Sequence, residues 1–526
     1  MKPLARTIMV QGTASAVGKS TVVAGLCRLL RQDGWSVAPF KSQNMALNAA
    51  VTADGLEIGR SQAVQAAAAG LPPAVEMNPI LLKPEGEGRC QLVVSGRAVG
   101  RLGGGGYDDL RPTLAPVIAA SLRTLRERHE VVVIEGAGSP AEINLKDRDL
   151  ANMHVARVAD APVLLVGDID RGGVFAAFVG TLALLDADER ARVRGFVINK
   201  FRGEVARLEP GLRMLKERTG VPVLGVVPHV RNLGLADEDA VALEERRNGR
   251  RAGRDELDVV VIRTPRISNF DELGPLEREP GVTVRYVESA AELEGADLVV
   301  LPGSKGTVAD LRWLESRGLA ARLRARAALG APILGICGGF QMLGHEIVDP
   351  EGIESDHPHM RGLGLLPVRT SFARDKITAQ VRVRARVASW LTPDVDRLAT
   401  DPIDGYEIHM GVVEPIGTVG QPFEVETRNG SALGSLDGAI SGDGVVIGTL
   451  VHGLLENDAV RAGLLRELAR RKGLAAPGSA PALDVYDRLA DELRSALDVR
   501  LLYAIIGLDA PAAGRSPARF RNPASS

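Results

Sequence analysis

Aromatic residues make up only 3% of this 526-residue chain. That leaves little material for stacking nucleobases and argues against a single-stranded nucleic-acid platform. A charge excess of either sign is also missing. Lys+Arg number 64 and Asp+Glu 66, for a formal net charge of −2, so neither nucleic acid nor an anionic membrane would be drawn by the global field. Only three cysteines occur, Cys27, Cys90 and Cys337. They form no CxxC pair and no disulfide framework, as expected for a reducing cytoplasm. Long apolar runs are absent too. The longest uncharged stretch, Ala327 to Gly344, is broken by Pro332 and several glycines, so it reads as strand, turn and helix rather than a membrane span. The apolar run around Ile8 to Val10 is too short for a signal peptide. The expectation is a cytoplasmic protein with neither nucleic-acid nor membrane partners.

A hydrophobic content of 45% suits a packed globular protein, and the length calls for two to four domains. The first half alternates short β-branched runs with helical stretches. Candidate strands are Thr7–Val10, Ser36–Phe40, Val131–Ile134, Pro162–Val166, Gly195–Ile198 and Val223–Val227. Several are apolar throughout, as in strands of a parallel sheet covered on both faces. A polar, arginine-rich segment at 244–256 reads as a linker. A second alternation follows: Asp258–Ile262, Val282–Val287, Asp297–Leu301, Ile333–Ile336 and Val445–Leu450. Residues from Ala459 to about Gly507 read as mostly helical, and the Pro/Ala/Arg/Ser-rich end as disordered. The fold class is α/β, with a parallel-sheet domain at 1–243, a linker at 244–256, a second α/β domain at 257–507 and a tail at 508–526.

Gly12-Thr13-Ala14-Ser15-Ala16-Val17-Gly18-Lys19-Ser20-Thr21 follows the first candidate strand and precedes the apolar helical stretch Val22–Leu30. Glycines let a backbone wrap anionic oxygens, a lysine reaches the β/γ-phosphates, and a hydroxyl binds Mg²⁺. Gly12, Gly18, Lys19 and Ser20 supply these, with a spacing one residue longer than the usual phosphate loop. The metal also needs a carboxylate. Glu135 closes the run Val131–Ile134 on the same sheet edge, where a Mg²⁺ ligand would sit. Three polar clusters end other strands: Lys41 to Asn44, Asp168 to Gly173, and Asn199 to Gly203. Strand C-termini in such sheets converge on the ligand crevice.

In the second half, Gly335-Ile336-Cys337-Gly338-Gly339 follows another apolar run. Flanking glycines permit the strained strand-to-helix turn of a nucleophile elbow, and the helix start favours a thiolate and an oxyanion. A cysteine nucleophile wants a histidine base. His452 ends the apolar strand before an acidic turn, and His409 is its rival. His357 and His359 flank a proline and read as surface residues. The backbone of Leu301-Pro302-Gly303-Ser304-Lys305, at another strand end, is placed to complete an oxyanion hole. Few chemistries need both a phosphate loop and an exposed thiol. ATP-driven amide formation fed by glutamine is the leading one.

Several segments together resemble the cobyric acid synthase family, the glutamine-dependent amidases of cobalamin biosynthesis. These are Pro39-Phe40-Lys41-Ser42-Gln43-Asn44-Met45, Glu57-Ile58-Gly59-Arg60-Ser61-Gln62, Met77 to Pro84, Glu135 to Leu145, and Asp168 to Phe175. The resemblance runs to about residue 500. It implies a first domain like dethiobiotin synthetase, which shares the longer phosphate loop, and a second like class I glutamine amidotransferases. It implies Cys337 as nucleophile and His452 as base, ATP and Mg²⁺ as cofactors, and a corrinoid as substrate. It extends a metal role to Glu57 and an adenine contact to Asn199. Many amidotransferases carry a glutamate two residues after the histidine; here that position is Leu454. Glu456 or a backbone carbonyl is left to orient His452. The implied reaction amidates the b, d, e and g carboxylates of adenosylcobyrinic acid a,c-diamide. Two alternatives stand beside it: a cobyrinic acid a,c-diamide synthase, and a partition-type switch ATPase, which would need no Cys337.

Overall fold

The computed structural model describes residues 3–86, 89–103, 110–230, 250–478 and 484–509. The first sheet contains β1 (Arg6–Gly12), β2 (Val37–Phe40), β3 (Val131–Glu135), β4 (Val163–Asp168), β5 (Val193–Phe201) and β6 (Val223–Pro228). Their order is β6-β5-β4-β1-β3-β2, all parallel. Every residue of β3 and β4 is buried, which is why those runs are apolar without alternation. The chain places β2 at the edge on one side of β1, returns with β3 into the gap between them, then crosses to the other side of β1 with β4. The C-terminal end of β1 is therefore the topological switch point, where a crevice opens.

The second sheet contains β7 (Leu257–Ile262), β8 (Val282–Val287), β9 (Leu298–Leu301) and β10 (Ile333–Ile336). An antiparallel layer follows: β11 (Val368–Ala385), β12 (Ile403–Pro415), β13 (Phe423–Arg428) and β14 (Ser431–Asp437). The chain then returns to the second sheet with β15 (Ala439–Ile440) and β16 (Val446–Thr449). That sheet runs β8-β7-β9-β10-β16-β15, parallel except at its last pair. All eleven expected strands are present. The β11–β14 layer was not anticipated, because its long strands mix charged residues into their alternation, as in Val-Arg-Thr-Ser-Phe-Ala-Arg-Asp-Lys over 368–376.

The helices are α1 (Lys19–Gln32), α2 (Arg60–Ala69), α3 (Gly338–Leu343), α4 (Val485–Ala496) and α5 (Val499–Ile506), among others. The last two depart from the expected boundary of a second domain at 257–507. They pack on the first sheet, not the second. Leu489, Leu493, Leu497, Leu502 and Ile506 share a core with Val22, Leu26, Leu29 and Leu30 of α1. Gly25 lets them pack closely, since a Cβ would lie 2.3 Å from the Leu493 side chain. The Tyr503 hydroxyl donates to Asp33 at 2.6 Å, and Arg494 pairs with Asp33 at 2.9 Å. Apolar burial draws these helices across the molecule, so the first domain is completed by the far end of the chain. Residues 244–249 of the expected linker, and 510–526 of the expected tail, lie outside the described residues. No helix among the described residues is long and apolar enough to cross a membrane.

Candidate active site

Two centres form at the C-terminal edges of the two sheets. At the first, β1 ends in Gly12 and the Thr13 amide donates to the Val166 carbonyl at 2.9 Å. The chain then wraps through Gly18 (φ 96°) into α1, with Thr21 in the helix's first turn. The left-handed turn and a close neighbour both demand glycine at 18, for a Cβ would lie 2.1 Å from Asn199 Nδ2. Lys19 Nζ crosses the loop to donate to the carbonyls of Ala14 (3.1 Å) and Gly138 (2.9 Å). Ser20 Oγ donates to Glu135 Oε1 at 2.8 Å. Lys41 Nζ reaches the same oxygen at 2.9 Å, and Gln65 of α2 donates to the other.

This places Ser20 and Glu135 together as expected. A serine hydroxyl beside a buried carboxylate oxygen is a hard-oxygen donor pair, and it suits Mg²⁺ completed by phosphate oxygens and water. Among the described residues no group of three or more His, Cys, Asp or Glu is gathered as for a self-sufficient metal site. The other strand-end clusters do converge here. Lys200 pairs with Asp168 at 2.9 Å and donates to the Ala16 carbonyl at 2.9 Å, and Arg202 pairs with Asp170 at 3.0 Å.

Two residues expected at this centre have other partners in the structure. Glu57 was expected to face the metal. It is sandwiched between Lys83 (2.6 Å) and Lys376 of β11. Burial alone would raise its pKa, but Lys376 and Lys83 together hold it well below the usual carboxylate range. A carboxylate already matched by two ammonium groups is a joint between the halves of the protein rather than a cation ligand. Asn199, expected to read adenine, donates its amide to the Val17 carbonyl at 2.9 Å. It braces the phosphate loop from beneath.

At the second centre, β10 lies between β9 and β16, with Gly335 opposite Leu301 and Gly448, and Ile336 opposite Thr449. Three strand ends thus converge. Cys337 follows β10 with φ 52° and ψ −110°, a strained conformation typical of a nucleophile elbow that costs about 1–3 kcal/mol. Its amide donates to the Thr449 carbonyl at 2.8 Å. Gly339 must be glycine because a Cβ would lie 1.8 Å from the Leu301 carbonyl oxygen. Gly303–Ser304 pairs with Ile267–Ser268 and passes beside Gly338, as the expected oxyanion wall would. Cys337 is buried, at 7% exposure, and its Sγ lies 3.5 Å from the Ile408 carbonyl oxygen.

His452 supplies the imidazole. It lies close enough to Cys337 for the sulfur's charge to act on the ring, and its Nδ1 faces Glu272 at 3.1 Å from Oε1 and 3.3 Å from Oε2. Burial would lower the imidazole pKa. The Glu272 and Cys337 charges outweigh it and push the value well up. Because a carboxylate only accepts, Nδ1 carries a proton and Nε2 is left for the sulfur. Tyr406 stacks on the ring at a centroid distance of 5.1 Å. The rival His409 has a different task. It sits on β12 with Nδ1 donating to the Gly411 carbonyl at 3.1 Å, and burial lowers its pKa to about 4. The third group of the centre was missed. Glu456, offered as the orienting acid, is half-exposed and pairs with Arg60. Glu272 fills the role, 180 residues upstream of His452. It stands on a short 3₁₀ turn, Phe270–Leu273, pinned by two buried apolar side chains. Two consecutive acids set between Phe270 and Leu273 were the available signal.

Both halves of the chain match known protein families. Residues 8–241 match the CobQ/CobB/MinD/ParA nucleotide binding domain, and residues 258–460 match the CobB/CobQ-like glutamine amidotransferase domain. The chain is 57% identical over 516 residues to cobyric acid synthase of Sorangium cellulosum, covering 96% of this chain and 99% of that one. The chain belongs to the cobyric acid synthase family. Two further relatives match along nearly their whole length. Cobyric acid synthase of Moorella thermoacetica is 49% identical, with 97% of this chain and 98% of that one covered. That of Yersinia enterocolitica is 48% identical, with 94% and 96% covered. Like its family, the chain is a glutamine amidotransferase-type ligase, and both of its centres fall inside the matched domains.

Proposed function

We propose that the chain hydrolyses glutamine at Cys337 and uses the ammonia, with ATP, to amidate the b, d, e and g carboxylates of adenosylcobyrinic acid a,c-diamide in the cytoplasm. The observation that carries the reading is the pairing of two complete centres on one chain: Cys337–His452–Glu272 and Lys19–Ser20–Glu135.

In the thiol centre, Cys337 Sγ attacks the glutamine side-chain carbonyl carbon. His452 Nε2 gives its proton to the departing ammonia while Glu272 stabilises the imidazolium. Water then attacks the thioester, which releases glutamate and returns the proton to the Cys337–His452 pair. In the phosphate centre, Ser20 and Glu135 would hold Mg²⁺, which supplies charge neutralisation at the β- and γ-phosphates when bound. Lys19 balances charge on the phosphoryl group as it passes to a substrate carboxylate, whose oxygen forms the new P–O bond as ADP leaves. A carboxylate is a poor electrophile at neutral pH, and the acyl phosphate gives ammonia a leaving group to displace. The products of each cycle are an amide, glutamate, ADP and phosphate.

Mass spectrometry of the corrinoid product tests this reading. Four added amides are expected from the a,c-diamide with glutamine and ATP. Amidation at a and c of a substrate lacking those amides would instead favour a cobyrinic acid a,c-diamide synthase. ATP turnover without any glutaminase activity would favour a switch ATPase.

A further inference from the structure

The turn that carries Glu272 is held by the other half of the protein. The Ala49 amide donates to Asn269 Oδ1 at 3.0 Å, and the Asn269 amide donates to Asn48 Oδ1 at 2.8 Å. Two residues on, Asp271 is fully buried, and its Oδ2 stands 2.6 Å from Arg60 Nε as an ion pair without hydrogen-bond alignment. Arg60 also pairs with Glu456. Asp271 and Glu272 are thus consecutive buried carboxylates with cations at opposite ends, Arg60 on one and His452 on the other. Burial raises the Asp271 pKa, Arg60 lowers it, and Glu272 raises it again. Two adjacent buried carboxylates without compensation would share a proton or move apart.

We infer that Arg60 is a positioning residue for the thiol centre: by compensating Asp271 it holds the turn so that Glu272 stays aimed at His452. The inference rests on the glutaminase reading above. Arg60 opens α2, and Gln65 of the same helix donates to Glu135 in the phosphate centre. Five residues span about 7.5 Å of helix. One helix therefore touches Glu135 of the phosphate centre and Asp271, the neighbour of the thiol centre's Glu272, and the residue that steadies the thiol side is presented by the phosphate side. Arg60 makes no contact with glutamine or sulfur in this account, and its effect passes through Asp271 and Glu272.

The test uses the full-length protein with Arg60→Ala, Arg60→Gln, Arg60→Lys and the double variant Arg60→Ala/Asp271→Asn. Glutamine hydrolysis is measured as kcat and KM. The alkylation rate of Cys337 by iodoacetamide is followed at its own peptide by mass spectrometry. Arg60→Ala and Arg60→Gln should lower kcat by about 10- to 100-fold with KM changed less than about threefold, and should slow Cys337 alkylation in step. Arg60→Lys should recover most of the loss. Asp271→Asn added to Arg60→Ala should also recover it, since removing both members of a buried pair leaves no charge to compensate. Arg60→Gln keeps length and polarity, so it serves if the alanine variant does not fold. Wild-type kcat in the charge-removing variants overturns the inference. So does a loss that neither lysine nor the Asp271→Asn change repairs, which would assign Arg60 to docking alone. Absence of glutamine hydrolysis in the wild-type protein would instead overturn the glutaminase reading itself.

Discussion

The phosphate centre is local where the thiol centre is dispersed. Gly12 to Thr21 deliver the loop, the lysine and the hydroxyl in one stretch, and only Glu135 is brought from another strand. The thiol centre instead assembles Glu272, Cys337 and His452 from three segments, the outer two 180 residues apart. The difference follows from what each must bind. Phosphate oxygens are gripped by consecutive backbone amides, so a single loop suffices. A nucleophile, its base and the orienter of that base must meet at fixed angles, and no short stretch of backbone can present three such side chains to one point. Parallel sheets solve both problems alike by ending several strands at one edge.

If the two centres divide the labour, single substitutions should break one and spare the other. Cys337→Ala should reduce glutamine-supported synthesis by at least about 10⁴-fold, while synthesis from added ammonium persists. Loss of both activities in a folded protein would end the division. Lys19→Ala should reduce synthesis by about 10³-fold or more with either nitrogen source. Turnover on ammonium close to wild type would remove Lys19 from the phosphate centre. Glutamate release and amide formation, assayed side by side, separate these outcomes.

Glu272→Gln sharpens the comparison on the dispersed side. The carboxylate is the largest influence raising the His452 pKa against burial. Without it the imidazolium loses its proton at lower pH, and with it the acid that protonates departing ammonia. The alkaline limb of glutaminase kcat should move to lower pH, and kcat at its optimum should fall by about 10²-fold. An unchanged pH profile would mean that another group orients His452. Glu456→Gln, by contrast, should leave that limb in place, since Glu456 pairs with Arg60 rather than the imidazole.

The same contrast explains what could be read from sequence. All eleven expected strands exist because continuous β-branched runs such as Val131–Ile134 have few other uses. Cys337 and Lys19 were legible because their glycines are adjacent in the chain. Glu272 was not, since the contact that gives it meaning lies at residue 452. Glu57 was misread for the same reason: its partner Lys376 sits on β11, within the antiparallel layer that the pattern did not reveal. The return of α4 and α5 to the first sheet was hidden as well. Their amphipathic faces announce that something covers them but not which sheet does.

Asn199 yields the smallest effect and tests how far the local centre depends on support from outside its loop. Its amide holds the Val17 carbonyl, one residue before the glycine that turns the loop into α1. Asn199→Ala removes one hydrogen bond, worth about 0.5–1.5 kcal/mol. The loop keeps its own sequence and its strand anchor at Val166. The KM for ATP should therefore rise by about two- to tenfold with a smaller change in kcat. The preference for ATP over GTP should stay as in the wild type, because a brace beneath the phosphates does not see the base. A selective loss of ATP over GTP would return Asn199 to the adenine contact first assigned to it. In that case the phosphate centre, like the thiol centre, would depend on a distant side chain for its specificity.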